Sequence, residues 1–381
     1  MRIILPLLAA PALIALDLQP EVHCFASFGY LQTTENDWLG NTTAGTGQFW
    51  EAAANAVISP LPQVRIGGQL FARDFERYDN GRAQVDWLFA EWRPVDQIGV
   101  QAGRVKYPLG LYNESRDVDA ARTTIFLPVS VYPLRARDLR SATDGGKAFG
   151  YLHLGPLGSV EYTAYLGRTH LDTDGGFATY LADAGFGQVD ELGMDYVWGG
   201  MLHWHTPVEG LAARLTATDL RGLHAESPGP GGTVLRSEAN SYFDLISSLL
   251  YEHGPLTLVG EALLSDGTRV IHVEMPDGTE VAPTIVQPDR SGGAYLSATW
   301  HLPADVDTTV AVERAWDDMR DLGDPNSTRL VLAARWGITE HWSVKAEYQR
   351  VVGEGGALPA DNPGGVETHW DIFALKTTVD F

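Results

Sequence analysis

Apolar and polar side chains alternate along most of the chain with a period of two. At the C-terminus, Phe373, Leu375, Val379 and Phe381 share one face, and polar or small side chains occupy most of the other. Such alternation is typical of β-strands, whose successive side chains point to opposite faces of the sheet. Each such strand has an apolar face that must be buried against a protein core or against lipid. The same pattern recurs in segments 63–75, 211–220, 294–302 and 341–350.

The connections between these strands alternate between short and long. Short breaks rich in proline or glycine occur near positions 59, 93, 155, 206, 253, 302 and 337, and longer polar segments separate them. Seven short turns and eight long loops predict sixteen strands, from near Phe25 to Phe381. An even number of antiparallel strands, with short turns at one rim and long loops at the other, is typical of outer-membrane barrels. The sequence therefore predicts an all-β fold, a sixteen-stranded antiparallel transmembrane β-barrel with short periplasmic turns and long extracellular loops.

A β-propeller is the main alternative, because its blades have about the length of this hairpin repeat. Each repeat here holds two strands of about 10–14 residues, long enough to cross a bilayer when tilted, whereas a blade holds four shorter strands. A closed barrel also leaves no unpaired strand edge in lipid. Tryptophans near strand ends are expected to form interfacial girdles: Trp87, Trp92, Trp198, Trp204, Trp300, Trp336 and Trp342. Side chains expected to face lipid are Val64, Ile66, Leu70, Leu215, Leu296, Val344 and Phe373.

The first residues predict a targeting segment rather than a part of the barrel. An apolar run from Ile3 to Leu16 follows Arg2 and is too short for a spanning helix, but it has the length and basic flank of a secretory signal. We expect residues 1–15 to be the signal peptide, with cleavage as late as position 26, and residues 16–381 to form the barrel. A buried N-terminal helix is the alternative. The single cysteine, Cys24, excludes an internal disulfide.

The charge is strongly acidic overall but unevenly distributed. A formal net charge of −22 excludes nucleic acid as a partner, because phosphate binding requires a basic face. Residues 63–147 nevertheless contain 13 basic and 11 acidic residues, against 14 and 38 in the rest of the chain. This stretch includes a long connection after the fifth strand, 103–146, with the apolar middle "TTIFLPVSVYPL". Long segments without regular structure usually have a function, and this composition suits packing on an inner wall.

The long connection also carries a family motif. With it the chain resembles the Gram-negative porins, and most closely a porin-like family with the signature GR-K-P-GLYNE-RDVD-AR. The segment "ITEHWSVKAEYQRV" and the terminal phenylalanine resemble the last hairpin of that family. The matching residues are Gly103, Arg104, Lys106, Pro108, Gly110, Leu111, Tyr112, Asn113, Glu114, Arg116, Asp117, Val118, Asp119, Ala121 and Arg122.

The resemblance implies a function, a location and an assembly. It implies a passive, water-filled channel for small hydrophilic solutes in the outer membrane of a Gram-negative bacterium, surrounded by outer-membrane lipid and lipopolysaccharide. It also implies a homotrimer, and a third loop, residues 107–146, that folds inward and narrows the pore. A structural or adhesive barrel and an outer-membrane hydrolase are the alternatives, and open-channel conductance separates them from a porin.

Charged side chains in this loop and the neighbouring strands are candidates for the pore constriction. Guanidinium and carboxylate groups opposed across a narrow water path would orient polar solutes, and the basic excess predicts a weak preference for anionic or zwitterionic ones. Alternatively, the charges pair with one another and pin the loop to the wall. Arg104 is in phase with the lipid-facing Ile98, Val100 and Ala102, so its side chain enters the pore only if a bulge intervenes. The candidates are Arg65, Arg73, Arg77, Arg104, Lys106, Glu114, Arg116, Asp117, Asp119, Arg122, Arg135 and Arg137.

Other residues give weaker signals for chemistry. His203 and His205 share a strand face in "HWH", but without a third ligand nearby they are interpreted as lumenal or rim histidines rather than a metal pair. The sequence contains no recognisable nucleophile–base arrangement. We therefore expect neither enzymatic activity nor a cofactor.

Overall fold

The computed structural model describes residues 19–119 and 122–381 as one antiparallel sheet of 18 strands, 16 of which form a closed barrel. The two short strands, β8 and β13, belong to loops. The strands are β1 (Glu21–Thr33), β2 (Phe49–Leu61), β3 (Val64–Phe75), β4 (Gln84–Val95), β5 (Ile98–Lys106), β6 (Ala142–His153), β7 (Ser159–Arg168), β8 (Glu191–Gly193), β9 (Tyr196–His205), β10 (Leu211–Pro228), β11 (Val234–His253), β12 (Leu256–Glu274), β13 (Ile285–Asp289), β14 (Gly292–Leu302), β15 (Val306–Trp316), β16 (Ser327–Thr339), β17 (Trp342–Gly353) and β18 (His369–Asp380).

Helical structure is confined to short segments in the connections. The two α-helices are α1 (Arg137–Arg140) and α2 (Gly176–Leu181). Two 3₁₀ turns, Gly155–Leu157 and Pro230–Gly232, and one π-helical turn, Ala182–Phe186, complete the set found in the described residues. Among those residues, no helix is long and apolar enough to cross a membrane.

The barrel closes between its first and last strands. β1 pairs with β18 from Phe25↔Asp380 to Thr33↔Ile372, and its other edge pairs with β2. This closure satisfies both edges of the sheet and confirms the sixteen-stranded fold predicted from the turn pattern. The predicted signal peptide, 1–15, lies outside the described residues. Cleavage at position 26 would remove the start of β1, where Ala26 pairs with Val379.

Seven short turns, the start of β1 and the end of β18 lie at one rim of the barrel. Eight connections lie at the other rim. We call these L1 to L8: 34–48, 76–83, 107–141, 169–195, 229–233, 275–291, 317–326 and 354–368. L5 is not the long loop that the sequence pattern predicted. β10 and β11 continue pairing as far as Pro228↔Val234, so the hairpin itself projects beyond the rim.

The side-chain alternation sets the inner and outer faces of the barrel. Leu296, at 72 % relative exposure, and the other side chains expected to face lipid lie on the outer face, where Val64 and Val344 are only half-buried. Six of the seven tryptophans assigned to girdles are exposed. Trp87 is the exception, because it stacks on Phe89 at 5.5 Å and lies opposite in phase to the exposed Leu88.

Candidate functional site

L3 folds into the barrel and is held there by the wall. Three inward-facing glutamates, on β12, β15 and β17, accept hydrogen bonds from backbone N–H groups of L3, and all three are at least 95 % buried. Because buried amides need partners, these carboxylates fix the path of the loop. The alternation in segment 341–350 places Glu347 on the polar face, but nothing local in the sequence indicated the partners of the three glutamates. The pairs are Leu111 to Glu261 (2.9 Å), Ser130 to Glu313 (3.2 Å) and Ile125 to Glu347 (2.6 Å).

The apolar middle of L3 packs on the inner wall, as its composition suggested. Phe126 stacks on Phe49 of β2 at 5.7 Å and on Phe75 of β3 at 6.1 Å. Val131 and Tyr132 lie in a second apolar cluster with side chains of β11, β12 and β14. A third cluster surrounds Tyr107 and Leu139 and reaches β7, β9 and β10. L3 is therefore sealed against much of the barrel circumference by apolar contacts.

Asp119 anchors L3 to the opposite end of the chain. Its carboxylate lies 3.1 Å from the ammonium of Lys345 and 3.0 Å from that of Lys376, and accepts a hydrogen bond from Thr378 at 2.7 Å. Arg122 lies 3.6 Å away. Burial alone would raise the pKa of Asp119, but Lys376, Lys345 and Arg122 outweigh it and hold that pKa far below its usual value. Asp119 is therefore a charged structural anchor.

Four other charges form a closed ring between L3 and the wall, which we call the ionic ring. It consists of Lys106 of β5, Asp86 of β4, and Arg137 and Asp117 of L3. Lys106 lies 3.0 Å from Asp86 and also pairs with Asp117. Arg137 lies 3.0 Å from Asp86 and 2.7 Å from Asp117. No side chain of the ring is more than 10 % exposed.

Asp117 and Arg137, the two members of the ionic ring that belong to L3, each stabilise the charged form of the other. Burial alone would raise the pKa of Asp117, but Arg137 and Lys106 hold that pKa well below its usual value. Burial alone would lower the pKa of Arg137, but Asp117 and Asp86 raise it. Arg116 lies nearby and donates to Asn113 at 3.2 Å, and its pKa falls to about 10 because of burial and the adjacent Arg137.

Most of the predicted constriction residues pair with other charged side chains or with the backbone, and Arg73, Arg104, Arg135 and Arg137 also line a polar cavity. Arg73 lies 2.5 Å from Asp79, and Arg77 pairs with Asp183 and Asp361. Arg122 donates to the carbonyl of Arg116, and Arg135 to those of Trp38 and Gly356. These contacts agree with the alternative in which the charges pair and pin the loop to the wall, because a buried charge needs a partner and L3 brings both signs together. A solute-facing role for these groups remains a prediction.

Three predicted residues lie apart from these pairs. Arg104 lies 3.5 Å from Asp144 of β6, donates to the Asp86 carbonyl and lines the polar cavity described below, but it does not belong to the ionic ring. Arg65 is half-exposed on the inner wall, 3.8 Å from Glu91. Glu114, with 38 % of its side chain exposed, lies 2.9 Å from Lys147.

A polar cavity opens on the loop side of the ionic ring. Its volume is about 370 Å³, and L2, L3, L4 and the ends of β3 and β4 enclose it. The lining includes Arg73, Asp79, Arg82, Asp86, Arg137 and Asp138. Two members of the ionic ring thus form part of the cavity floor.

The histidines do not form a metal site with each other. His203 accepts from Arg214 at 2.7 Å, and His205 lies 2.8 Å from Glu161, as expected for lumenal side chains. In the described part of the chain, one group has ligand atoms within 4.8 Å of one another, namely His272, Glu274 and Glu280. His272 and Glu274 lie at the loop end of β12 and are partly buried, and Glu280 of L6 is exposed.

Solved structures of Gram-negative outer-membrane proteins share this barrel fold. Salmonella typhi OmpF in complex with daunomycin matches with a TM-score of 0.59 and 11% identity, over 95% of this chain and 97% of that chain. The anion-selective porin from Comamonas acidovorans matches with a TM-score of 0.55 and 12% identity, over 96% and 100%. OmpT of Vibrio cholerae matches with a TM-score of 0.56 and 11% identity, over 95% and 98%.

A further OmpT structure, described as a trimer form, matches with a TM-score of 0.51 and 11% identity, over 96% and 99%. No protein-family model and no curated protein matches the sequence. At these identities the comparisons establish the fold, which is that of outer-membrane porins.

Proposed function

We propose that the chain forms a passive outer-membrane channel for small hydrophilic solutes. The observation that carries this proposal is the closed sixteen-stranded barrel whose third loop folds inward across its interior. A closed barrel satisfies its backbone hydrogen bonds within lipid, and an inward loop restricts what passes through it. The motif at 103–122, which resembles a porin-like family, supports the same function and remains a prediction.

Conductance across a planar bilayer tests this function. The purified, folded protein should give stepwise currents, and deletion of 117–135 should enlarge them if the barrel still assembles. Unchanged currents from a well-folded deletion variant would show that L3 does not control the path. Absence of any current from both proteins would refute the channel and favour a structural or adhesive barrel. The dense contacts of L3 with the wall are the observation that favours this second function.

We also propose that the functional unit is a homotrimer. The support is the fold shared with a protein whose structure is described as a trimer form, and the resemblance of the sequence to porins. Native mass spectrometry in mild detergent tests it, since a monomer mass accompanied by full channel activity would contradict it.

A further inference from the structure

The contacts between L3 and the barrel wall differ in kind around the circumference. Towards β1, β2, β17 and β18, and towards β7 to β14, apolar clusters around Phe126, Tyr107 and Tyr132 pack the loop against the wall. The charged contacts in these sectors, such as those of Asp119 with Lys345 and Lys376, are buried among them. Such packed interfaces exclude water and provide no hydrogen-bond partners to replace the water molecules around a polar solute. In the sector from β3 to β6, apart from Phe126 stacking on Phe75, the contacts are ion pairs and one cation–π contact, with Arg137 4.3 Å from the Phe71 ring. These charged contacts border the polar cavity.

The charged sector is continuous from one side of L3 to the other. On the loop side, the 370 Å³ cavity is lined by Arg73, Asp79, Asp86 and Arg137. On the other side, Lys147 pairs with the partly exposed Glu114 and also donates to the Lys106 carbonyl at 3.1 Å. Lys147 lies further towards the short-turn rim than Ala142, the residue of β6 that pairs with Lys106. The ionic ring thus lies between the polar cavity on the loop side and the Lys147–Glu114 pair on the short-turn side.

We propose that the ionic ring of Lys106, Asp86, Arg137 and Asp117 is the gate through which solutes cross L3, and that it favours small zwitterions. This inference rests on the proposed channel function. A buried charge that loses its partner is strongly destabilised, so the ring can open only to a solute that replaces the lost partners. A zwitterion replaces both kinds, because its carboxylate pairs with Arg137 or Lys106 and its ammonium pairs with Asp86 or Asp117.

The charge balance of the gate agrees with this substrate class. The ring itself contains two cations and two anions, and the flanking pairs Arg73–Asp79 and Lys147–Glu114 are also neutral. The nearby Arg116 adds one buried positive charge. We therefore expect the gate to admit zwitterions most readily and small anions second. The residues that give the whole chain its net charge of −22 lie elsewhere.

A double variant with a matched control tests the gate. Arg137→Gln/Asp117→Asn removes both loop members and leaves Lys106 and Asp86 paired with each other at 3.0 Å, with the net charge unchanged. Arg140→Gln/Asp244→Asn is the control, because it removes another buried pair between L3 and the wall, 3.1 Å apart, in the sector sealed by apolar side chains. We expect open probability in planar bilayers to rise by at least about tenfold for the gate variant, since one lost charge-assisted hydrogen bond changes an equilibrium by about that factor and the variant removes three ion pairs. We expect it to stay unchanged for the control.

Liposome swelling with two isomers of equal size tests the substrate class. Glycine is a zwitterion and glycolamide is neutral, so size does not distinguish them. The wild type and the control should admit glycine faster, and the gate variant should admit both at similar rates. Glu114→Gln, at a partly exposed position beyond the ring, should reduce the preference for glycine and provides a second test if the double variant does not fold.

The outcomes separate this inference from the function on which it rests. Absence of current and of swelling in every protein refutes the channel itself. A conducting wild type in which the gate variant behaves like the control, or in which Glu114→Gln keeps the full glycine preference, shows that solutes cross elsewhere and overturns the gate. Equal entry of glycine and glycolamide into wild-type vesicles overturns the zwitterion preference.

Discussion

Replacing Asp119 by asparagine should release L3 from the wall. The carboxylate is 3 % exposed and is shared by Lys345 at 3.1 Å and Lys376 at 3.0 Å. Asparagine keeps the size of the side chain and removes the charge, so Lys345 loses its carboxylate partner, whereas Lys376 retains Glu51 at 2.7 Å. Removing one partner of a buried ion pair costs about 3–5 kcal/mol, which shifts the docking equilibrium of L3 by about two to four orders of magnitude.

Two measurements check this magnitude. Thermal unfolding of the folded barrel reports the lost stability, and open-channel current noise reports the undocked loop. Asp174→Asn is the control, because its pair with Arg82 at 2.7 Å has side chains 62 % and 73 % exposed, and exposed pairs contribute about 1 kcal/mol or less.

A double-mutant cycle shows whether the effect comes from the ion pair. Lys345→Met alone should destabilise the barrel, and it should cost less in the Asp119→Asn background because the buried ammonium is then already unpaired. If Asp119→Asn matches Asp174→Asn in both measurements, Asp119 does not hold the loop. If the two single costs simply add, the carboxylate and the lysine are not coupled.

Three further predictions concern the wall, the loop backbone and pH. Leu296→Arg should lower the stability of the detergent-refolded barrel by about 2–4 kcal/mol while inward-facing Thr299→Arg does not, and the reverse order would invert the face assignment. Gly110→Ala should destabilise L3 by about 1 kcal/mol or more and increase its protease sensitivity, because φ is +57° there and a methyl group would meet the Tyr132 hydroxyl; equal digestion rates would contradict this. The folded-state pKa of Asp117 is lowered, so its stabilisation is complete above about pH 5 and is lost as pH falls below about 4. Conductance should therefore stay constant from pH 8 to 5 and rise only in stronger acid, and a rise centred near neutrality would assign the effect to another group.

The sequence determined the barrel because its determinants are local. Alternation at a period of two defines a strand and its two faces, and proline or glycine breaks separate the strands, so the count of sixteen and the outward position of Leu296 follow from neighbouring residues. The same local pattern placed Arg104 in the lipid-facing phase, whereas its side chain pairs with Asp144 and borders the polar cavity. The sequence pattern overestimated the length of L5, because β10 and β11 continue to pair through residues whose composition suggests a loop.

Only the tertiary structure decided what the charged residues do. The sequence identified L3 and its basic surroundings, and left open whether the charges face water or pair. Asp119 meets Lys345 and Lys376, which lie 226 and 257 positions away, and Leu111 meets Glu261, 150 positions away. Closure of the barrel and the path of L3 across it determine these partners, because they bring distant strands within hydrogen-bond range. Once the loop is buried, the cost of an unpaired charge forces the pairing, and that cost does not exist in the extended chain.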